Sequence, residues 1–142
     1  MTIVEFLAKY PLTMTAVSIP SRSGHDPKWQ ADHWRLTITC PGTARKAFTC
    51  EYSTGIGHRK VQRHKGTVAP QPVAPALAGV LEALSGDASM GDSTFADWCD
   101  DLGCDTDSRK ALDTYLACQQ INGDLRALMG YDGLADLSNV EW

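Results

Sequence analysis

The chain has 142 residues, of which 43% are apolar and 21% charged, and its net charge is -4. This composition excludes wholesale disorder and predicts one folded domain over residues 1–142, mainly β before residue 70 and mainly α after it. The net charge conceals a division, because residues 1–70 carry 10 Lys and Arg against 4 Asp and Glu, whereas residues 71–142 carry 3 against 13. We therefore expect two surfaces of opposite charge.

Three segments of the first half have the composition of strands. Residues 12–22, 34–39 and 46–53 are rich in Thr, Val, Ile and aromatic residues and alternate in part between apolar and polar side chains. A Pro-Gly pair within residues 40–45 predicts a turn, so the last two strands should form a hairpin. Residues 21–32 are expected to form a loop. An antiparallel sheet of about three strands follows from these patterns.

The second half has helical periodicity. After a Gly- and Pro-rich loop over residues 55–75, apolar residues recur at helical spacing up to Gly86 and predict a short helix, with Pro75 at its start. A second helix is expected to be capped by Ser93 or Thr94 and to end at Gly103. Its apolar face comprises Phe95, Trp98 and Leu102.

The longest predicted helix begins after residues 105–107, where two aspartates can meet the positive end of the helix dipole. Its apolar side comprises Ala111, Tyr115, Cys118, Leu125 and Met129, flanked by Leu112 and Leu116. Residues 3–10 fit either a helix or a further strand. Helices that follow strands without alternating with them indicate an α+β fold, with about three helices packed on one face of the sheet.

Neither a targeting segment nor a membrane span is evident in the sequence. The first residues lack a basic leader and a cleavage site, and no run approaches about 20 apolar residues. Five cysteines without a repeated close spacing suit a reducing compartment better than a disulfide framework. We expect a cytosolic protein that does not contact membranes.

The positive charge is concentrated in one predicted loop and in the hairpin turn before it. Such a cluster can bind phosphates, because several cations near a polyanion release counterions. However, no aromatic residue is interleaved for base stacking, so a solvated loop is an equally good interpretation. The candidate residues for binding a partner or nucleic acid are Arg45, Lys46, His58, Arg59, Lys60, Arg63 and Lys65.

The negative charge is densest between residues 87 and 107. Carboxylates on a rigid helical body can imitate the phosphates of a nucleic acid and occupy the basic channel of a protein that handles one. Helix capping and solubility are the simpler interpretation of the same aspartates. The candidate residues for partner binding are Asp87, Asp92, Asp97, Asp100 and Asp101.

No pattern in the sequence predicts a reaction, a metal or a cofactor. Cys99 and Cys104 have no matching Cys or His pair downstream, and residues 100–107 lack the ligand alternation of a calcium loop. Neither a nucleophile elbow nor a complete phosphate-binding glycine motif is present. We therefore expect a protein that is not an enzyme, with no catalytic residue, metal or cofactor.

The segment from Asp92 to Ala111, continuing to Tyr115 and Cys118, resembles the C-terminal signature of a family of small, uncharacterised phage and prophage proteins. Residues 33–38, 52–58 and 81–88 are similar to that family in order and spacing. The signature carries no known activity, so no catalytic residue can be transferred. The basic cluster of residues 59–65 lies outside the shared pattern.

The resemblance implies an accessory protein of a mobile element, made in the cytoplasm of a bacterial host. Small phage proteins of this kind often inhibit host machinery, including CRISPR-Cas defence. The expected function is therefore that of an anti-CRISPR type inhibitor, which binds a host defence protein or ribonucleoprotein complex as a nucleic-acid mimic. A nucleic-acid-binding accessory protein that uses the basic loop is the alternative, and a small virion protein is a third. The sequence does not fix the oligomeric state.

Overall fold

The structure is a computed structural model that describes residues 1–19, 33–41, 47–53 and 74–142. A short helix, α1 (Ile3–Lys9), precedes three strands, β1 (Thr13–Ile19), β2 (His33–Thr39) and β3 (Phe48–Ser53). Three helices follow, α2 (Leu77–Met90), α3 (Phe95–Leu102) and α4 (Arg109–Ser138). The predicted α+β class is confirmed, with the strands in the first half of the chain and the long helices in the second.

The three strands form one antiparallel sheet in the order β1-β2-β3. Leu36 at the centre of β2 lies opposite Ala16 on one side and Cys50 on the other. Trp34, Leu36 and Ile38 are buried, whereas the residues between them are partly or fully exposed, so one face of β2 is covered. The predicted three-stranded sheet and its β2-β3 pairing are confirmed. The predicted loop over residues 21–32 and most of the loop over 55–75 lie outside the described residues.

The covered face of the sheet packs against α1, α2 and the second half of α4. Phe6, Leu36, Leu81 and Leu125 are completely buried in this cluster. Each such side chain contributes about 1.5–3 kcal/mol relative to an exposed one. This main core fixes α2 and α4 against the sheet.

The first segment, for which the sequence fits either structure, is a helix. The Thr2 side chain accepts a hydrogen bond of 3.2 Å from the backbone N–H of Glu5, which caps α1. The ring of Phe6 points into the core and lies 5.0 Å from the ring of Tyr10. Ile3 and Leu7 pack on the same core, and this tertiary packing stabilises a helix that is too short to persist alone.

α2 is longer than the sequence predicts. It continues through Gly86 to Met90 and ends at Gly91, so the predicted end at Gly86 is wrong. The buried stripe of Leu81 and Leu84 continues to Ala88, whose carbonyl accepts a hydrogen bond of 2.9 Å from Asn122 on α4. Packing against α4 thus outweighs the cost of about 1 kcal/mol for glycine inside a helix.

The predicted limits of α3 are confirmed. Thr94 is the N-cap, its hydroxyl accepting from the N–H of Asp97 at 3.2 Å, and Gly103 ends the helix with a left-handed φ of 67°. Trp98 and Cys99 are buried against Ala111 and Tyr115 in a second, smaller core. Leu102 is 46% exposed, so the prediction that it lies on the buried face of α3 is wrong.

α4 connects the two cores. Ser108 caps it, accepting from the N–H of Ala111 at 3.2 Å, and all five residues of its predicted apolar side are buried. Of the two flanking leucines, Leu112 is partly buried and Leu116 is 49% exposed. The helix is broken at Gly130, where φ is 81° and ψ is 173°. The sequence analysis did not foresee this break.

Candidate binding surfaces

Three of the five predicted acidic residues share one exposed face of α3. Asp97, Asp100 and Asp101 lie on the side opposite Trp98 and Cys99 and are exposed to solvent. We call these three residues the acidic face. Within the described part of the chain, none of the three carboxylates forms a salt bridge. Residues 71–108 contain eight Asp and Glu and no Lys, Arg or His, so no opposite charge lies along this stretch of sequence.

An aromatic cluster fixes the orientation of the acidic face. The rings of Phe95 and Trp98 lie 5.3 and 5.9 Å from the ring of Tyr115 on α4. The Tyr115 hydroxyl donates to the carbonyl of Ser93 at 2.6 Å and accepts from the side-chain amide of Gln119 at 2.8 Å. Because buried aromatic contacts and a satisfied hydroxyl restrict motion, α3 is held on α4 as one rigid unit.

The other two predicted acidic residues lie elsewhere. Asp87 is on the exposed side of α2, and Asp92 is in the turn between α2 and α3. Oδ1 of Asp92 lies 3.9 Å from Nη2 of Arg126 on α4, so this carboxylate faces a cation. The structure therefore groups Asp97, Asp100 and Asp101 and separates Asp92 from them.

The predicted basic residues cannot be placed relative to these surfaces, because each lies outside the described residues. They are Arg45, Lys46, His58, Arg59, Lys60, Arg63 and Lys65. Trp34 on β2 is in the core with 6% exposure, so it does not contribute to these surfaces.

A cleft of about 360 Å³ lies between the second half of α2 and the second half of α4. Arg126 lines it, and its guanidinium carbon lies 4.9 Å from the centre of the Tyr131 ring. Nη2 of Arg126 donates to Oδ1 of Asn122 at 2.9 Å, and Asn122 in turn donates to the Ala88 carbonyl. Both ends of the buried Asn122 amide are therefore satisfied, which fixes its orientation and holds the arginine in place.

Asn122, Arg126 and Tyr131 are not among the residues predicted from the sequence. A signal was present, because Asn122 falls on the apolar side of α4 between Cys118 and Leu125, where a polar residue needs a partner. Arg126 follows four residues later, on the same helix face. The position of Tyr131 depends on the break at Gly130 and could not be inferred from periodicity.

The buried thiols are poorly suited to nucleophilic chemistry. Burial raises the pKa of Cys118 and of Cys99, which disfavours the reactive thiolate form. Among the residues that the structure describes, no group of three or more His, Cys, Asp or Glu side chains is placed to hold a metal ion. None of the helices in this part of the chain is both long and apolar enough to cross a membrane.

No protein-family model matches this chain, and neither a curated protein nor a solved structure is significantly similar to it. The resemblance to small phage proteins therefore remains an interpretation of the residues from Asp92 to Cys118.

Proposed function

We propose that this protein is a binding protein, whose acidic face contacts the basic nucleic-acid-binding surface of a partner protein. The observation that carries the proposal is the set of Asp97, Asp100 and Asp101, three exposed carboxylates on one rigid helix that form no salt bridge with any residue the structure describes. Opposite charges attract such a partner from a distance and favour it over acidic proteins. Binding there would exclude nucleic acid from the partner and so inhibit it.

The arrangement favours recognition over a merely solvating role for two reasons. The helix is held by an aromatic cluster, so the backbone positions of the three aspartates are fixed relative to α4. In addition, the charges have no neutralising cation among the described residues, whereas Asp92 and Asp113 each lie within 4 Å of an arginine. Of the three aspartates, only Asp97 lies in the first turn of α3, where a negative charge stabilises the helix dipole. This helix-stabilising role does not account for Asp100 and Asp101.

The phage setting implied by the sequence resemblance supplies the class of partner. A host-defence protein that holds nucleic acid, of the CRISPR-Cas type, presents a positively charged channel for a nucleic-acid duplex. An acidic inhibitor of such a complex acts in the cytoplasm of the bacterial host.

The proposal is tested by capture from a bacterial host lysate treated with nuclease, followed by mass spectrometry. The bait proteins are the wild type, a triple variant with D97K, D100K and D101K, and a control triple variant with E51K, D113K and D124K. The two variants change the net charge equally, and the control residues are exposed and lie outside the acidic face. Thermal denaturation shows whether each variant keeps its fold.

We expect the wild type and the control to retain a nucleic-acid-binding protein that an excess of DNA or RNA releases. The acidic-face variant should lose that protein while its thermal transition changes little. Undiminished capture by the acidic-face variant would contradict the proposal.

An electrophoretic shift titration of labelled DNA and RNA across salt concentration separates this function from the alternative based on the basic loop. An inhibitor that only mimics nucleic acid shifts neither probe at any salt concentration. A protein that binds through several Lys and Arg loses affinity steeply as salt rises, because counterions are released on binding. A shift with that salt dependence would favour the alternative function.

A further inference from the structure

The cleft between α2 and α4 contains hydrogen-bond donors that the protein does not use. Among its five N–H groups, the Arg126 guanidinium uses one for Asn122, at 2.9 Å from Nη2. Its Nε is fully buried and has no hydrogen-bond partner in the described structure. Asp92 lies at 3.9 Å from Nη2, beyond hydrogen-bond distance. The Arg126 side chain as a whole is 41% exposed, so its Nη1 group, and not the buried Nε, is open to a ligand that accepts hydrogen bonds.

The guanidinium is held in place before any ligand arrives. Asn122 fixes one edge, and the Tyr131 ring, 4.9 Å away, covers one face. Tyr131 takes this position directly after Gly130, whose φ of 81° and ψ of 173° belong to a region that only glycine adopts readily. Prior fixation of the guanidinium by Asn122 reduces the entropy that is lost on binding.

The remaining walls of the cleft combine apolar surface with hydrogen-bond acceptors. Leu134 and Ala135 line it beside Tyr131 and can cover the body of an organic molecule. Two serine hydroxyls in the cleft donate their protons to backbone carbonyls, Ser89 to Gly86 and Ser138 to Ala135. Their oxygens therefore remain free to accept. A volume of about 360 Å³ lies within the range of pockets for small molecules.

The charges of the cleft favour a planar monoanion. Arg126 is the one cation among the residues that line it, and Asp92 is the one carboxylate. Guanidinium presents a flat pair of donors that matches a carboxylate in a bidentate arrangement. Asp92 repels any anion in the cleft, and it would repel a phosphate dianion about twice as strongly as a carboxylate. We propose that this cleft binds a small organic carboxylate, whose carboxylate group is held by Arg126 and whose body packs on Tyr131 and Leu134.

The test uses benzoate as the probe and the full chain labelled with ¹⁵N. The resonance of the Arg126 Nε–Hε group reports binding directly, because burial protects this proton from exchange. We expect saturable shifts of that resonance and of the Asn122 side-chain amide, with a Kd of roughly 1 mM for a probe of this size. Benzamide, which has the same shape without the charge, should cause no saturable shift, and inorganic phosphate should bind more weakly than benzoate.

Two variants that leave the core intact sharpen the test. D92N removes the competing carboxylate and should tighten benzoate binding about threefold, the size expected for a partly exposed charge pair. Tyr131 is 73% exposed, so Y131A should fold normally and weaken binding by removing the covering ring. R126Q removes the Nε–Hε reporter itself, so this variant is followed by the Asn122 side-chain amide, whose benzoate-induced shift should disappear, and its amide spectrum shows whether the fold is retained.

The proposal is overturned if no shift saturates with benzoate up to roughly 50 mM, well above the expected Kd. It is also overturned if benzamide binds as well as benzoate, or if phosphate binds more tightly. Unchanged benzoate binding by both D92N and Y131A would have the same consequence. The cleft contains none of the three residues of the acidic face, so these results are independent of the proposed inhibitory function.

Discussion

The hydroxyl of Tyr10 donates a hydrogen bond of 2.7 Å to Oδ2 of Asp136, a residue 126 positions further along the chain. The ammonium group of Lys9 reaches the same oxygen at 2.8 Å. These two bonds tie the end of α1 to the part of α4 that follows the break at Gly130. The segment of α4 that contains Tyr131 and Leu134 therefore contacts α2 across the cleft on one side. On the opposite side it is anchored to the end of α1 through Asp136.

This cluster predicts a dependence of stability on pH at both ends of the scale. Hydrogen bonds from Lys9 and Tyr10 lower the pKa of Asp136 below its usual value of 3.8. A lowered pKa in the folded state stabilises folding above pH 3.8, and this contribution is lost as the pH falls through the folded pKa. The hydrogen bond and charge of Asp136 raise the pKa of Lys9 above 10.5. That contribution is present below pH 10.5 and is lost as the pH rises through the folded value.

The measurement is urea denaturation of the wild type and D136N between pH 2 and 6, and again between pH 9 and 12. We expect the free energy of unfolding of the wild type to fall more steeply than that of D136N in both ranges. Y10F, which keeps the charge of Asp136, should retain part of the acid dependence through Lys9. Parallel curves for wild type and D136N would contradict the prediction.

A second prediction concerns the turn between α2 and α3. Gly91 lies so close to the backbone of α4 that a Cβ atom there would clash with the carbonyl group of Cys118. Backbone cannot move as a flexible side chain does, so we expect G91A to lower the free energy of unfolding by at least about 2 kcal/mol. Urea denaturation measures this, with G86A as the matched control.

G86A is the same glycine-to-alanine change as G91A, made at a position with different surroundings. A Cβ atom at Gly86, inside α2, would meet nothing within 4 Å. Alanine has the higher helix propensity, so G86A should raise the free energy of unfolding by about 0.5–1 kcal/mol. A loss of stability in G86A similar to that in G91A would show that close packing is not the cause.

How much of the structure could be predicted depends on whether a feature is local. The cap at Thr94, the left-handed Gly103 and the buried stripe of α4 follow from neighbouring residues, and the sequence predicts each of them. The end of α2 was wrongly predicted because its last turn is stabilised by Asn122, which lies 34 residues after its hydrogen-bond partner Ala88. Local rules place glycine at a helix end, and they contain no information about a partner helix.

The candidate surfaces show the same limit. Asp97, Asp100 and Asp101 were selected from composition, and helical spacing alone puts them on one face. That Asp92 faces Arg126 depends on how the α2-α3 turn packs against α4, which composition does not reveal. The cleft was missed because its lining residues come from two helices and depend on a backbone break.

The break in α4 provides a third prediction. Alanine at position 130 would be forced into a backbone region that costs non-glycine residues about 1–3 kcal/mol. We expect G130A to lower the free energy of unfolding by that amount in urea denaturation. G123A is the control, since Gly123 is an exposed position of the same helix with nothing within 4 Å of its added Cβ. G123A should stabilise the protein, and equal losses in both variants would contradict this explanation.

The two cysteines at the end of α3 should differ in reactivity. Cys104 is exposed, whereas Cys99 is 1% exposed and burial raises its pKa. A disulfide reagent at pH 7.5 should therefore modify Cys104 quickly and Cys99 only when α3 opens, at least about 1,000-fold more slowly if opening requires unfolding. The measurement follows the rates by mass spectrometry after proteolysis, in the wild type and in C104A. A Cys99 rate in C104A close to the Cys104 rate of the wild type would mean that α3 is not held on α4, and the rigidity assigned to the acidic face would be lost with it.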